Sequence, residues 1–429
     1  MTHPGSPVWH PFTQHGLRQP VVEIASAEGV WLTTREGARI IDAISSWWVV
    51  THGHRHRAIM AAIREQTETL DQVMFAGFTH APAERLARAL VEVAPLGLAH
   101  VFYCDSGSTA VEVALKMALG YWRNVGEPRT RIMALEHAYH GDTVGAMSVG
   151  ARGAFTASYE PLLFEVGRIP FPGPGREQAT VAAFEAVCRE GVPPAALIVE
   201  PLILGAGGML TYSAHVLADL ARVCRAHGVL LIADEVMTGW GRTGTLFACE
   251  QAGVAPDILC MAKGLTGGAV PLAATLCTAA IFEAHVSTDR ARMFFHSSSF
   301  TANPIACAAA MANVMVWQTE PVVERITGLA AMQAQALERM SGHPRVAAVR
   351  RCGTIAALDM TAAGGGYLAS AAPKLAAFFL ARGVLLRPLG GTIYVMPPYC
   401  ITQAELDIVY VAIHAALDSP PEFWSEDVA

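Results

Sequence analysis

Lys263 follows a run of apolar residues and precedes a glycine-rich segment, residues 264–268 (GLTGG). A lysine in an apolar pocket loses the solvation of its ammonium group, which lowers its pKa and makes the amine nucleophilic. The glycines would let the backbone pass close to a flat ligand. The alternative is a strand-end lysine whose amine reaches water. On this segment alone the alternative is favoured.

Lysine is rare in this chain, which adds weight to the nucleophile. Only Lys116, Lys263 and Lys374 occur among 30 basic residues, and the others are arginines. Arginine does not lose its proton or form a Schiff base in proteins, whereas lysine does both. Codon bias would produce the same skew, so the count favours a chemical role without establishing one.

Asp234 ends an apolar run, residues 230–233 (LLIA), which predicts a buried strand. A buried carboxylate needs a partner, and one candidate is the protonated ring nitrogen of pyridoxal 5'-phosphate (PLP). Asp234 and Lys263 are separated by about one strand–helix–strand unit, so both would lie at neighbouring strand ends. The alternative, a helix N-cap, has equal weight for Asp234 alone.

Residues 105–109 (DSGST) would supply a phosphate site. They follow a predicted strand and open a predicted helix over residues 110–122, with Thr109 and Glu112 spaced as a capping box. Free N–H groups and the positive end of the helix dipole bind phosphate without a lysine. An ordinary serine-capped helix start is the alternative. In the next such segment, residues 139–143 (YHGDT), Tyr139 would stack on a planar cofactor or else be a half-buried core residue.

Three alternate histidines, His52, His54 and His56, have a spacing that would suit a metal site on a strand. They stand beside glycine and arginines, and no acidic or thiol ligand is near them in sequence. We therefore predict no metal site.

Five apolar runs are expected to form the strands that position these residues. They are continuous rather than alternating, which is typical of strands buried on both faces of a mostly parallel sheet. They cover residues 101–104, 131–135, 196–199, 229–233 and 258–261. Ligands bind beyond the carboxyl ends of such strands. The residues that follow them, from Asp105, Tyr139, Glu200, Asp234 and Lys263, are polar or glycine-rich and should converge on one place.

The two ends of the chain predict a second, smaller α+β domain. A long amphipathic helix is expected over residues 321–340 and another near residues 375–382, and short strands over residues 29–32 and 39–41. We predict an N-terminal segment, 1–48, that packs with the small domain. A large domain, 49–320, and the C-terminal small domain, 321–429, follow.

The composition of the chain argues against several classes of protein. Apolar residues make up 52% and charged residues 16% of the 429, with a net charge of −7, so neither a nucleic acid nor a membrane surface is expected as a partner. The uncharged stretch 264–282 contains glycines and Pro271 and is too broken for a spanning helix. No secretory signal opens the chain, and the nine cysteines include no Cys-x-x-Cys pair. A cytoplasmic protein is expected.

Several segments together resemble the class III (ω-type) aminotransferases of PLP fold type I: residues 234–236 (DEV), 239–244 (GWGRTG) and 263–264 (KG). The resemblance covers nearly the whole chain. Further segments are similar to those of the family members that act in the biotin pathway. These segments are residues 9–13 (WHPFT), 45–48 (SSWW), 104–108 (CDSGS), 139–143 (YHGDT), 387–388 (RP) and 394–399 (YVMPPY). The resemblance implies an α/β fold with a mostly parallel central sheet flanked by helices and a small domain built from both termini.

The resemblance also implies the roles at a PLP site. Lys263 would hold PLP and move the proton between substrate and cofactor carbons, Asp234 would pair with the pyridine nitrogen, and Tyr139 would stack near the ring. Gly107 and Ser108 would bind the phosphate, joined by Ser298 and Ser299 from the other subunit of a homodimer.

The implied acceptor is 8-amino-7-oxononanoate, which leaves as 7,8-diaminononanoate, and the implied amino donor is S-adenosylmethionine. Trp47 and Trp48 would wall the substrate pocket, and Arg387 would hold the carboxylate of the keto acid. Substrate contacts are expected from Phe12, Trp47, Trp48, Tyr139, Arg242, Lys263, Ser297, Arg387 and Tyr394.

Three positions depart from patterns in the wider family. Ala206 stands where many ω-aminotransferases have a glutamate that covers an arginine, which fits the biotin-pathway members. Residues 296–300 (HSSSF) replace His-Gly-Pro-Thr-Phe, and Phe12 stands where some members have tyrosine. Hydroxyls at 298 and 299 can still donate to phosphate. Ser297 is larger than glycine, and Phe12 lacks a hydroxyl that would contact S-adenosylmethionine.

Four alternatives remain. Lysine is the amino donor in some family members, and another class III ω-amino acid aminotransferase is disfavoured by Trp47, Trp48 and Ala206. A nucleotide-binding dehydrogenase is disfavoured because no strand is followed by Gly-x-Gly-x-x-Gly. A PLP-type scaffold without chemistry is disfavoured by the presence of Lys263 and Asp234.

Overall fold

The structure is a computed structural model that describes residues 6–17, 21–361, 371–420 and 424. Its strands are β1 (Ile24–Glu28), β2 (Trp31–Thr34), β3 (Arg39–Asp42), β4 (Leu98–Cys104), β5 (Ile132–Leu135), β6 (Gly167–Ile169), β7 (Ala196–Val199), β8 (Ile203–Leu204), β9 (Leu210–Thr211), β10 (Leu230–Asp234), β11 (Ile258–Met261), β12 (Ala273–Thr278), β13 (Val346–Cys352), β14 (Ile355–Met360), β15 (Val384–Leu385) and β16 (Thr392–Val395).

The helices are α1 (Ser45–Trp48), α2 (Arg57–Thr67), α3 (Ala81–Val93), α4 (Gly107–Asn124), α5 (Val144–Val149), α6 (Glu177–Arg189), α7 (Ala214–His227), α8 (Ala279–His285), α9 (Pro304–Thr319), α10 (Val322–Ser341), α11 (Ala371–Leu380) and α12 (Gln403–Asp418). Short 3₁₀ segments lie at His15–Leu17, Ala157–Leu162, Ala248–Ala252, Lys263–Thr266 and Arg290–Arg292. The expected helices over 321–340 and near 375–382 are confirmed as α10 and α11.

A seven-stranded sheet in the order β4-β12-β11-β10-β7-β5-β6 forms the centre of the fold. The central strands are parallel, and β12 runs antiparallel to both of its neighbours, β11 and β4. Apolar side chains fill both faces of this sheet, in contact with the flanking helices. The predicted α/β class and the five predicted strands are confirmed.

Two strands of this sheet were not predicted, β6 and β12. Strand β12 lies inside the uncharged stretch 264–282, and five of its six residues are buried. Its sequence, AATLCT, has few of the branched and aromatic residues that favour strands, so its pairing with β4 and β11 decides its conformation. In the described residues no helix is long and apolar enough to span a membrane.

The two ends of the chain share a smaller sheet, in the order β1-β2-β3-β15. Ile41 of β3 pairs with Val384 of β15, and the core beneath them joins Val30 with Phe379. The expected strand over 29–32 was wrong in its bounds, because the chain reverses at Gly29, with φ +58°, between β1 and β2. The domain boundaries at 48/49 and 320/321 stay a prediction.

Candidate active site

The carboxyl ends of five parallel strands meet at one cavity of about 490 Å³. Asp105, Tyr139, Glu200, Asp234 and Lys263, which follow or end β4, β5, β7, β10 and β11, all line it. The convergence expected from the strand ends is therefore present. Of the residues predicted for the site, those that line the cavity are Phe12, Trp47, Trp48, Gly107, Ser108, Tyr139, Asp234, Lys263, Arg387 and Tyr394.

Lys263 begins a 3₁₀ turn directly after β11, and its backbone has a φ of +45°. This left-handed conformation is uncommon for a residue with a side chain, and it places the amine 5.1 Å from the centroid of the Trp48 ring. Burial lowers the pKa of Lys263, and the carboxylates of Asp234 and Glu200 oppose that shift. The lysine therefore has the environment of a nucleophile rather than that of an amine that reaches water.

Asp234 lies at the end of β10 and is 4% exposed. Its Oδ1 accepts a hydrogen bond of 3.1 Å from the backbone N–H of Val236, and its Oδ2 lies 2.7 Å from Nδ1 of His140. His140 is also buried, and its Nε2 has no hydrogen-bond partner in the described chain. His140 was not among the residues predicted for the site, because nothing in the local sequence links it to a carboxylate 94 positions later.

The helix α4 begins at Gly107, three residues earlier than expected, and its N-terminus faces the cavity. The expected capping box of Thr109 and Glu112 was wrong, since the box is formed by Ser106 and Thr109. Glu112 instead accepts hydrogen bonds from the start of α5: from the hydroxyl of Thr143 and the N–H groups of Gly145 and Ala146.

Two glycines keep this helix end open to a ligand. A Cβ on Gly107 would lie 2.6 Å from Cγ1 of Val236, and a Cβ on Gly141 would lie 2.1 Å from Oγ of Ser108. The Ser108 hydroxyl accepts a 3.2 Å hydrogen bond from the N–H of Asp142. The loop after β5 is thus packed against the first turn of α4, where unpaired N–H groups can receive an anion.

Glu200 joins the two loops that border the cavity and was not proposed as a functional residue from the sequence. Its Oε1 and Oε2 each accept a 2.9 Å hydrogen bond, from the N–H groups of Tyr139 and Gly205. Burial raises the pKa of Glu200 to about 7, although His140 and these two N–H groups act against the shift. The carboxyl group therefore fixes both Tyr139 and the turn that carries Ala206.

Aromatic side chains and one arginine form the opposite wall. The indole N–H of Trp48 donates to the hydroxyl of Tyr394 at 3.0 Å, and the Arg387 guanidinium lies 4.8 Å from the Trp47 ring centroid and 5.8 Å from that of Phe12. The wall that contains these aromatic rings and Arg387 suits an apolar ligand that ends in an anionic group.

Tyr139 follows β5 and lines the cavity from the side of the strand ends. Burial raises the pKa of Tyr139, with the Asp142 and Glu200 carboxylates nearby.

The wall has a strained backbone that the protein holds in place. Ser45, Ser46 and Trp48 all have positive φ values, and within α1 the angles of Ser46 and Trp47 are not helical. The buried carboxylate of Asp42 accepts from the N–H of Ser46 at 2.7 Å and from its hydroxyl at 2.9 Å. Such strain is typical of residues that a binding site positions.

Arg242 and the serines 297–299 are not among the residues that line the cavity. Arg242 is buried, and its guanidinium donates to the backbone carbonyls of Pro397, Trp48 and Val50. Ser298 donates through its hydroxyl to Asp105 of the same chain, and Ser297 and Ser299 are exposed. Arg242 thus lies behind the tryptophan wall, and the serines lie on the surface beside the cavity.

The three alternate histidines each contact a different partner. Nε2 of His52 lies 2.8 Å from Oδ1 of Asn313, and Nε2 of His54 lies 2.8 Å from Oδ2 of Asp42. Nε2 of His56 lies 3.1 Å from Oε1 of Glu320. No group of three or more potential metal ligands occurs among residues 6–17, 21–361, 371–420 and 424.

The family model of the class-III aminotransferases matches residues 12–417, and this chain belongs to that family. It is therefore a PLP-dependent aminotransferase, as the sequence predicted. Family membership and the fold of its structural neighbours confirm the predicted fold type I.

Several similar proteins share the name of one particular aminotransferase. The adenosylmethionine-8-amino-7-oxononanoate aminotransferase of Synechococcus elongatus is 47% identical over 420 residues, which cover 96% of this chain and 98% of that protein. The protein of the same name from Mycobacterium leprae is 42% identical, and the match covers 93% of this chain and 92% of that protein. A crystal structure of this enzyme from Methanocaldococcus jannaschii is 33% identical, with a TM-score of 0.90 over 97% of this chain and 96% of that one.

A different kind of transaminase has almost the same fold. An amine transaminase from an uncultivated Pseudomonas species, solved in its PLP-bound form, is 34% identical, with a TM-score of 0.89 over 96% of this chain and 98% of that one. The fold by itself therefore does not decide the substrate, and the residues of the cavity must do so.

The residues of the cavity fit PLP. The buried Asp234 carboxylate would pair with the ring nitrogen, the enclosed amine of Lys263 would hold the aldehyde carbon, and the helix end at Gly107 and Ser108 would receive the phosphate. A Cβ on Gly107 would lie 2.6 Å from Cγ1 of Val236, which lines the same cavity, so the glycine keeps this side of the space clear. Each chemical group of the cofactor thus has a partner of the appropriate kind in one cavity.

Proposed function

We propose that this aminotransferase transfers an amino group to 8-amino-7-oxononanoate, giving 7,8-diaminononanoate, with S-adenosylmethionine as the donor, in biotin biosynthesis. The observation that carries the proposal is the cavity wall that combines Trp47, Trp48 and Tyr394 with the Arg387 guanidinium. The names of the relatives from Synechococcus elongatus and Mycobacterium leprae support it.

The keto acid matches this wall in both of its chemical parts. Its long aliphatic chain would lie against the indole rings, where burial of apolar surface favours binding. Its carboxylate, remote from the reacting carbon, would pair with Arg387, whose planar guanidinium suits a two-point contact. Ala206 lines the same cavity and has no carboxylate to compete for Arg387.

The donor carries a positive sulfonium group, which aromatic faces attract. Phe12 lines the cavity and is partly exposed, with its ring centroid 5.6 Å from that of Trp47 and 5.9 Å from that of Phe155. Phe12, Trp47 and Phe155 would therefore receive the adenosyl and sulfonium parts of the donor.

The chain's own groups would divide the catalytic work. PLP, when bound, supplies an electron sink that allows a proton to leave the carbon bearing the amino group. Nζ of Lys263, with its lowered pKa, would take and return that proton. The carboxylate of Asp234 would keep a proton on the ring nitrogen, and Tyr139 would cover the ring and exclude water.

A donor half-reaction tests the proposal. Purified protein loaded with PLP is mixed with S-adenosylmethionine, and separately with lysine or an amine such as 1-phenylethylamine, without any keto acid. We expect the visible absorption band of the bound cofactor to bleach with S-adenosylmethionine and to recover when 8-amino-7-oxononanoate is added. Bleaching by lysine alone would show that lysine is the amino donor. Bleaching by the amine alone would indicate an amine transaminase.

We further propose a homodimer whose site lies at the subunit interface. Met74, Phe78, Phe295 and Phe300 are each about 60% exposed. Phe295 and Phe300 lie on either side of Ser298 in the chain, and Ser298 donates to Asp105. The segment with Met74 is tied to the loop with Phe300, because Gln72 donates to the carbonyl of Ser299 at 2.9 Å. An apolar surface of this kind is typical of a protein–protein contact.

Mixed dimers test whether Ser298 and Ser299 complete the partner's phosphate site. We expect the double variant Ser298→Ala/Ser299→Ala and the variant Lys263→Ala each to be impaired, and their mixture after refolding together to regain activity. Activity no higher than the sum of the separate variants would show that the serines act within their own subunit, where Ser298 contacts Asp105. A cytoplasmic location is part of the same proposal.

A further inference from the structure

The turn that carries Lys263 is held by a side chain from another element. The carbonyls of Gly264 and Leu265 accept hydrogen bonds of 3.0 and 3.1 Å from Nδ2 of Asn313, in the middle of α9. Buried carbonyls require such partners. Asn313 therefore fixes the carbonyl groups of the two residues that directly follow Lys263.

Asn313 is an unusual residue for its position. It is fully buried in a helix whose other residues are almost all apolar, PIACAAAMANVMVWQT. A buried amide is unfavourable unless its hydrogen bonds are made. Both hydrogens of Nδ2 are used on the turn, and Oδ1 lies 2.8 Å from Nε2 of His52.

His52 is the partner of the acceptor side of that amide. Oδ1 of Asn313 can only accept, so Nε2 of His52 must donate, which leaves the unpartnered Nδ1 without a proton. Burial lowers the pKa of His52 to about 4, so the ring is neutral at pH 7. A ring that donates from Nε2 completes the hydrogen bonds of the buried Asn313 amide, whose two N–H groups hold the turn.

The turn needs such support because its backbone is strained and tightly packed. Lys263 has a φ of +45°, and a Cβ on Gly264 would lie 2.7 Å from Cβ of Trp240. A conformation of this kind persists only when the surrounding structure enforces it. The N–H of Thr51, next to His52, also donates to the carbonyl of Gly267 at 3.4 Å.

We propose that Asn313 and His52 are positioning residues of the active site: through the carbonyls of Gly264 and Leu265, they hold the turn that aims the amine of Lys263 into the cavity. This role concerns the capture of PLP by Lys263 and does not depend on which substrates the enzyme uses.

The chain offers a matched control. Gln333 is a fully buried amide in α10 that likewise donates to two backbone carbonyls, those of Thr354 and Val395, and accepts from the Tyr410 hydroxyl. Gln333→Leu removes the same kind of hydrogen bonds away from Lys263. His52→Gln keeps a donor near the position of Nε2, whereas His52→Leu removes it.

The experiment measures how fast cofactor-free protein forms a borohydride-trapped PLP adduct at each lysine, by mass spectrometry of peptides. Lys116 and Lys374 are internal standards. We expect Asn313→Leu to slow trapping at Lys263 by about tenfold or more, since small misplacement of a reacting group is costly. His52→Leu should slow trapping less, and His52→Gln and Gln333→Leu should stay near the wild-type rate.

Hydrogen exchange of the amides at residues 265–267 supplies a second measurement that needs no cofactor. Exchange should become faster in Asn313→Leu and His52→Leu, but not in Gln333→Leu. Equal trapping rates for Asn313→Leu and Gln333→Leu would overturn the proposal. If Asn313→Leu does not fold, the two His52 variants decide, and equal rates for His52→Gln and His52→Leu would contradict it.

Discussion

Oδ2 of Asp234 and Nδ1 of His140 lie 2.7 Å apart, and both side chains are buried. The pair joins the end of β10 to the loop after β5. A hydrogen bond to a carboxylate is stronger than one between neutral groups, and its loss leaves a buried charge with fewer partners. His140 therefore orients the carboxylate that we propose to pair with the ring nitrogen of PLP.

We expect His140→Leu to lower kcat by about ten- to a hundredfold, the loss that corresponds to one charge-assisted hydrogen bond. His414→Leu is a matched control, because His414 pairs with Asp418 at 2.9 Å on the surface. Steady-state kinetics of both variants measure the effect. An equal loss in the two variants would show that the role of His140 is not specific to Asp234.

Lys263→Ala should yield a folded protein without transamination. Burial lowers the pKa of this lysine, which means that enclosing its charged form is unfavourable. We therefore expect the cofactor-free variant to have a Tm no lower than the wild type, measured by circular dichroism. Turnover retained in this variant would contradict the assignment of Lys263.

Arg387→Ala should raise the KM for 8-amino-7-oxononanoate by about ten- to a hundredfold, as expected for loss of a charged hydrogen-bonded pair, and change the KM for the donor much less. Arg382→Ala is the control, since Arg382 is exposed, does not line the cavity and has its guanidinium 3.5 Å from the Phe378 ring centroid. A similar change in both KM values would place Arg387 outside the carboxylate site.

Protonation of His52 should destabilise the folded chain as the pH falls. The pKa is about 4 when folded against 6.5 when unfolded, so the unfolded chain binds more protons between these values. From pH 7 to pH 5 the loss is about 2 kcal/mol of the free energy of unfolding. Burial is the main cause of the lowered pKa. The charges of His56 and Arg325 also lower it, whereas that of Glu320 raises it.

Urea unfolding of the wild type and His52→Gln at pH 7 and pH 5 measures this effect. Titrations shared by the two proteins cancel in the difference between them. The wild type should lose about 2 kcal/mol more than the variant over this range. Parallel pH dependences would show that His52 does not change its pKa on folding.

The sheet could be predicted because its strands are marked by their own residues. Residues 258–261 are a continuous apolar run, as buried parallel strands are, and the structure has β11 at those residues. Strand β12 could not be predicted, because its alanines and threonines become a strand only between β4 and β11. Pairing over such distances overrides the weak local preference.

Capping at α4 shows the same limit. Thr109 and Glu112 have the spacing of a capping box, but so have Ser106 and Thr109, and the structure uses the second pair. Glu112 is needed at the start of α5, where three donors converge on its carboxylate. These donors belong to another element, so the residues around Glu112 in the sequence do not indicate this role.

The sequence by itself determined the family and the cofactor, and it predicted the two residues that would carry the chemistry. Lys263 and Asp234 each follow an apolar run of characteristic length, and this information is local. Only the tertiary structure decided what supports them: His140 behind Asp234, Asn313 and His52 behind the turn of Lys263, and Glu200 between two loops. Hydrogen bonds between residues far apart in the chain depend on how elements pack, and no local pattern of residue types records that packing.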